Sequence, residues 1–171
     1  KMIIVHYNSF MLHRHLAICH TQEIDFHQVI NKGIGIMKKK PTVAQLKKKA
    51  DLYFSKYIRY RDATKKGGVY YAFCITCDKQ LPIKQMHAGH FQSRRHNSTR
   101  YDDENVNAQC AACNTYNQGE QYRYAKALDL KFGDGTADKL VALAQEYHKL
   151  TIEELEGIID ESKSNIRHYE A

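Results

Sequence analysis

Cys74-Ile-Thr-Cys77, His87-Ala-Gly-His90 and Asn105-Val-Asn-Ala-Gln-Cys110-Ala-Ala-Cys113-Asn114 fall in one short stretch, and the rest of the chain is arranged around it. The four cysteines form two C-x2-C pairs with 32 residues between them. Each pair is a knuckle, a tight turn that aims two thiolates at one point. Two knuckles complete a closed tetrahedral site of the kind structural Zn2+ prefers, so Cys74, Cys77, Cys110 and Cys113 are the expected zinc ligands. His87, His90, Asn105 and Asn114 lie between and just beyond the knuckles. Their imidazole and amide groups could furnish a second, harder metal site with open positions.

With 171 residues, one domain with a helical extension is expected. No run of about 18 apolar residues is present, so no membrane helix is expected. The paired cysteine spacing, without a convincing signal peptide, points to metal in a reducing cytoplasm rather than to disulfides. Cys19 is left over and reads as an ordinary free thiol. The net charge is +7, unevenly spread. Residues 38–66 carry eleven Lys/Arg against Asp51 and Asp62, whereas residues 150–171 carry six acidic residues against Lys163 and Arg167. A basic block beside a metal centre suits a polyanion such as nucleic acid, although a lysine run alone is usually a solvated helix face.

Outward from the knuckles, Val69–Phe73 is a short β-type run into the first, and 84–91 reads as a second strand carrying both histidines. Residues 92–103 form a polar loop with Arg94, Arg95 and Arg100. The second knuckle turns into a helix near Asn114. Two strands, a loop and a helix clasped by zinc are the parts of a treble-clef, ββα-metal core in an α+β fold. That core should span 67–133. A basic helix (37–66) precedes it, and C-terminal helices (134–171) follow.

In the basic helix, Thr42 is the expected cap, and the helix should run to about Asp62. Val43, Leu46, Ala50, Tyr53, Phe54, Tyr57 and Ile58 recur at helical steps, while Lys47, Lys48, Lys49, Lys56 and Arg59 fall largely outside that stripe. Lys65-Lys66-Gly67-Gly68 should end it. At the end of the core, 122–130 should be helical; beyond it, Thr136 should cap a helix with Leu140, Val141, Ala144 and Tyr147 on one side, and Thr151-x-x-Glu154 has capping-box form. Residues 1–36 hold five of the ten histidines without a clean period. Met37 followed by Lys38-Lys39-Lys40-Pro41 looks like a bacterial protein start, and a purine-rich tract could encode Asn31-Lys32-Gly33-Ile34 ahead of it. Residues 1–36 therefore read as a translated leader, with an amphipathic arm as the alternative.

The constellation permits phosphodiester hydrolysis. An imidazole can deprotonate the attacking water, because its ordinary pKa lies near working pH, and a divalent metal can contact the phosphate and the leaving oxygen. On an extended strand, His87 and His90 would need a bend at Ala88-Gly89 to face one site, and Gly89 would let a substrate backbone come close. Asn114 is placed by Cys113 and offers an amide oxygen to a metal. Asn105 can hydrogen-bond backbone and hold the histidine strand in register. Arginines beside such a site could clamp phosphate. Singly, a histidine near a zinc knot or an asparagine after C-x2-C is more often a surface or turn residue; the combination carries the argument.

Cys74-Ile-Thr-Cys77, His87-Ala-Gly-His90-Phe91, Arg100-Tyr101, Glu104-Asn105-Val106 and Gln109-Cys110-Ala-Ala-Cys113-Asn114 together resemble the lambdoid phage NinG (Rap) recombination proteins, within the wider HNH, ββα-metal nucleases. The likeness covers about 41–168. It implies a phage- or prophage-encoded DNA endonuclease working in the bacterial cytoplasm on Holliday junctions and D-loops, alongside recombination proteins of phage or host. His90 takes the place of the general base, Asn105 that of the middle asparagine, and Asn114 that of a ligand to catalytic Mg2+ or Mn2+. His87 departs from the family's usual Asp and remains a plausible ligand, one that favours manganese, nickel or zinc over strict magnesium use. Arg94, Arg95, Arg100, Lys47, Lys48 and Lys49 are the expected DNA contacts. Two-strand cutting of a junction would suit a homodimer. An HNH nicking or restriction enzyme on ordinary duplex, and a non-catalytic zinc-knuckle DNA-binding module, are the competing readings.

Overall fold

Thr42 opens the first helix, α1 (Val43–Arg61), with a capping box in which its side chain accepts from Gln45 N–H and the Gln45 side chain bonds back. The computed structural model describes residues 39–171. The expected leader at 1–36 lies outside the described residues. Leu46, Ala50, Phe54 and Ile58 line the buried face of α1, as their three- and four-residue steps require. The helix stops at Arg61 with Asp62 as its C-cap, the end expected near Asp62, so the lysine–glycine run lies beyond it.

That run is a hairpin. Ala63–Lys66 forms β1 and Val69–Phe73 forms β2, paired antiparallel from Ala63↔Ala72 to Lys66↔Val69. Gly67 and Gly68 both have positive φ, +54° and +79°, which the two-residue turn between twisted strands demands. A third strand, β3 (Gln80–Pro82), pairs antiparallel with β2 and completes a small sheet in the order β1-β2-β3. The expected second strand starts later than residue 84. Ile83–Gln85 is a 3₁₀ turn, and β4 runs Met86–His90. It pairs antiparallel with β5 (Val106–Cys110) as a separate two-stranded sheet. Ala112–Tyr116 follows as a π-helical turn.

Three further helices complete an α+β fold: α2 (Gln121–Phe132), α3 (Thr136–Ala144) and α4 (Ile152–Glu170). Gly135, not Thr136, caps α3; Thr136 is its first residue and donates its hydroxyl to Gly133 O at 2.7 Å. Leu140 and Ala144 are buried there, but Val141 and Tyr147 are exposed, so the expected apolar side is narrower. The α4 capping box is present, and Leu155, Ile159, Ser162 and Ile166 are its buried positions.

The core is several linked clusters. Leu46 and Ala50 of α1 pack on Leu150, Leu155 and Ile159. Phe54 and Ile58 reach Val106 of β5. Phe91 meets Tyr124, Leu128 and Leu140. Ala72, Met86 and Ala108 surround three of the cysteines. Residues Lys40–Ala171 form one compact unit. Every residue of β5 is buried, which seats the second knuckle in the middle of that unit.

Candidate functional site

The first knuckle is shaped by its own backbone. Cys74 N–H donates to Lys79 O (3.0 Å), Asp78 N–H donates to Cys74 O (2.9 Å), and Asp78 takes a left-handed φ of 56° to close the turn. Ile75 N–H donates to Ala108 O at 2.9 Å, which ties this turn to β5 and so to the second knuckle. The four Sγ atoms of Cys74, Cys77, Cys110 and Cys113 lie within 4.8 Å of one another. Cys77 and Cys110 Sγ are 3.8 Å apart. A tetrahedron of Zn–S bonds of about 2.3 Å has edges of about that length, so the donor set and its spacing fit a zinc ion.

Thiol electrostatics agree with that fit. Burial pushes Cys77 up to about 12, and neighbouring cysteines add to the effect. Burial also raises Cys113. Burial opposes ionisation of Cys74 as well, but hydrogen bonds from Cys110 N–H and Thr76 overcome it and bring the thiol down to about 7. Thiols so close oppose one another's ionisation, and a dication among them removes that opposition.

Beside this cluster lies a cleft of about 420 Å³ lined by β4, α1 and the π-helical turn. His87, His90, Arg94 and Asn114 all border it. The β4–β5 register runs unbroken from Met86↔Cys110 to His90↔Val106, so the expected bend at Ala88-Gly89 is absent. Gly89 is needed for a different reason. A Cβ there would lie 2.9 Å from Gln109 Cβ and closer still to its amide oxygen. The close neighbour is thus a side chain of the adjacent strand, and Gly89 itself is buried. Its carbonyl accepts from Tyr124 Oη at 2.9 Å.

His87 and Asn114 meet directly, with Asn114 Nδ2 3.0 Å from His87 Nδ1. Residues from two separate segments therefore place an imidazole and an amide side by side, the amide Nδ2–H facing the imidazole Nδ1. His90 Nε2 lies 3.1 Å from Arg100 O. A carbonyl can only accept, so in the tautomer that satisfies Arg100 O the proton is on Nε2 and the lone pair on Nδ1. Burial lowers the His90 pKa to about 4; the charges of Arg94 and Arg100 add to this, while the carbonyls of Arg100 and Ala88 oppose it. The ring is therefore neutral at physiological pH.

Asn105 is fully buried, and all its bonds go to protein. Its Oδ1 accepts from Gln92 N–H (2.7 Å), and its Nδ2 donates to Gln92 O (2.9 Å) and Thr99 O (2.8 Å). It laces the chain after His90 to the loop that carries Arg100, and so fixes the carbonyl that orients His90.

The expected DNA contacts separate into two groups. Arg94 borders the cleft, and Arg95, Lys48 and Lys49 are exposed. Arg100 is committed elsewhere: Nε and Nη2 grip both Asp51 oxygens at 2.9 and 2.5 Å, with only 14% of its side chain exposed. Its part is to pin the loop to α1, and it does not stand free as a phosphate clamp. Lys47 donates to Asn97 Oδ1 at 2.9 Å, and Lys49 borders another cleft with Glu156 and Asp160. Cations the sequence reading did not assign to the site, Arg59 and Lys84, do border the histidine cleft. The 25-residue gap between them gives no periodic signal; the position of Lys84 just ahead of His87 was the only available cue.

Among the described residues no helix is long and apolar enough to cross a membrane. A family model described as Bacteriophage Lambda NinG protein matches residues 32–171. Searches of curated proteins and of solved structures gave no significant match.

Proposed function

This chain belongs to the bacteriophage lambda NinG family, and on that premise we propose that it is a metal-dependent endonuclease that cuts branched recombination intermediates, Holliday junctions and D-loops among them. The observation that carries the reading is the convergence of His87, His90 and Asn114 in one cleft beside four clustered cysteines. In this reading the region from β2 to the π-helical turn is an HNH-like, treble-clef ββα-metal core, and zinc at the cysteines is structural.

His90 is the general base. In the tautomer whose Nε2–H is held by Arg100 O, Nδ1 is the nitrogen that takes the proton from water. His87 and Asn114 are the residues that would hold the catalytic Mg2+ or Mn2+. That ion, when bound, supplies positive charge to the phosphate and the leaving oxygen. Arg94, Lys84 and Arg59 attract the backbone of the DNA to the cleft. Asn105 and the Asp51–Arg100 pair act at one remove, by keeping the His90 ring and its carbonyl partner in place.

The test is a panel of labelled junction, D-loop, flap and linear duplexes with Mg2+ or Mn2+. Cleavage of the branched substrates ahead of linear duplex, abolished in His90→Ala, is expected. Equal cutting of plain duplex would point instead to a nicking or restriction enzyme. Binding without any cleavage would reduce the unit to a DNA-binding knot.

A further inference from the structure

The histidine cleft does not end at its own rim. Arg59 and Lys84 also border a second groove of about 600 Å³ on the far side of those two side chains. That volume is within the range of about 300–1,000 Å³ in which small ligands and single bases are held. Tyr60, Val69 and Ile83 contribute its apolar floor, and Lys56, Arg59 and Lys84 its cationic edge. Val69 is 45% exposed, so the floor is open rather than sealed by neighbours.

An apolar floor with a cationic edge is poorly matched to a duplex. Duplex DNA offers phosphates and groove edges, and its base faces are hidden in the stack. An unpaired nucleotide offers a bare base face for the floor and a phosphate for the edge, which is how single strands are commonly held. The edge already accommodates an anionic oxygen within the fold. Glu170 Oε1 sits 2.7 Å from Lys56 Nζ and accepts from Tyr60 Oη at 2.9 Å. An ammonium and a phenol converging on one anionic oxygen would hold a phosphate oxygen in the same way.

We infer that this second groove holds an unpaired nucleotide next to the scissile phosphate, so that the chain reads a branch by the loose strand it offers. The inference rests on the DNA reading above. Arg59 and Lys84 link the two clefts, so the backbone crossing between them is neutralised on its way to His90. Glu170 is the internal competitor that the incoming phosphate displaces.

The experiment uses the zinc-loaded full chain with no added divalent ion, so that only binding is read. Fluorescence anisotropy compares a blunt duplex with the same duplex carrying a short thymidine overhang. The overhang should tighten binding about tenfold, the effect of stacking roughly one base. Val69→Asp and Lys56→Gln, both at accessible positions, should bring that ratio to within about twofold of one. Glu170→Gln, which frees Lys56 and Tyr60, should raise it. Circular dichroism and zinc content of each variant verify the fold. A parental ratio near one, or a ratio unchanged in both Val69→Asp and Lys56→Gln, overturns the inference. A protein that keeps the ratio yet cuts no branched DNA fails as a nuclease and keeps the groove. One that cuts branched DNA with a ratio of one loses the groove alone.

Discussion

The cysteine cluster and the histidine cleft are neighbours built on opposite plans. The cluster draws its ligands from two short turns, each set by local backbone bonds, and three of its four cysteines are buried. The cleft draws on α1, β4, the 92–103 loop and the π-helical turn, and most of its lining is open or half-buried. A closed set of soft donors gives stability, and an open set of mixed donors leaves room for a substrate. The first site can thus make the second. The knuckles hold β4, β5 and Asn114 in register, and the cleft is what that register leaves exposed.

The hardest blow to this division of labour is at the cysteines. Cys74→Ser or Cys113→Ser should lower bound zinc and unfold the core, since structural zinc is worth on the order of 10 kcal/mol of folding free energy. Zinc content and thermal unfolding read the result, and full zinc with an unchanged transition would refute the four-cysteine assignment. Next comes His90→Ala. It should reduce cleavage by about 10²–10⁴-fold while zinc content and junction affinity hold, which separates chemistry from scaffold. Parental rates in a cleanly purified variant would move the chemistry elsewhere.

Asp51→Ala strips Arg100 of its partner in a mostly buried ion pair and should cost about 3 kcal/mol in urea unfolding. It should also slow cleavage by loosening the carbonyl that orients His90. A stability loss with an unchanged rate would show that the pair only holds the loop.

Acid titration gives a smaller effect with a definite sign. The His90 pKa is about 4 in the fold and about 6.5 in the unfolded chain. The unfolded chain therefore takes up a proton below about pH 6.5, and the native chain does so only near pH 4. Stability is full above that window and falls as pH drops through it, by about 2 kcal/mol between pH 7 and 5. His90→Gln should lose that component, so the difference between variant and parent isolates it from acid release of zinc. Smallest is the effect at the exposed Lys48 and Lys49. Replacing both should lower the salt slope of DNA binding by about two; an unchanged slope would place the DNA away from that face of α1.

Local signals were legible in the sequence. The four cysteines announce themselves by spacing, and Thr42 and Thr151 mark helix starts because a cap needs only a few residues. Asn105 was readable as a backbone brace, and the buried amide makes three such bonds. What failed to show depends on distant pairing. Val69–Phe73 reads as a strand, but its partner β1 reads as a helix end because Lys65-Lys66-Gly67-Gly68 is also a helix stop, and only pairing with 69–73 decides between the two. The Asp51–Arg100 bridge spans 49 residues and turns an expected phosphate clamp into a structural tie. His87 and His90 reach one cleft from an unbulged strand, a result that strand periodicity alone does not predict.

The two knuckles close a loop of 32 residues, and that loop carries His87, His90 and Asn105, with Asn114 directly after the second knuckle. For a protein proposed to cut DNA, such a layout is a safety catch. On that proposal, a freshly synthesised chain without zinc would carry the cutting residues without a held cleft and would be inert towards the genome around it. Loading the ion would then arm it in one step, and a chelator or a thiol oxidant would disarm it without touching a single residue of the cleft.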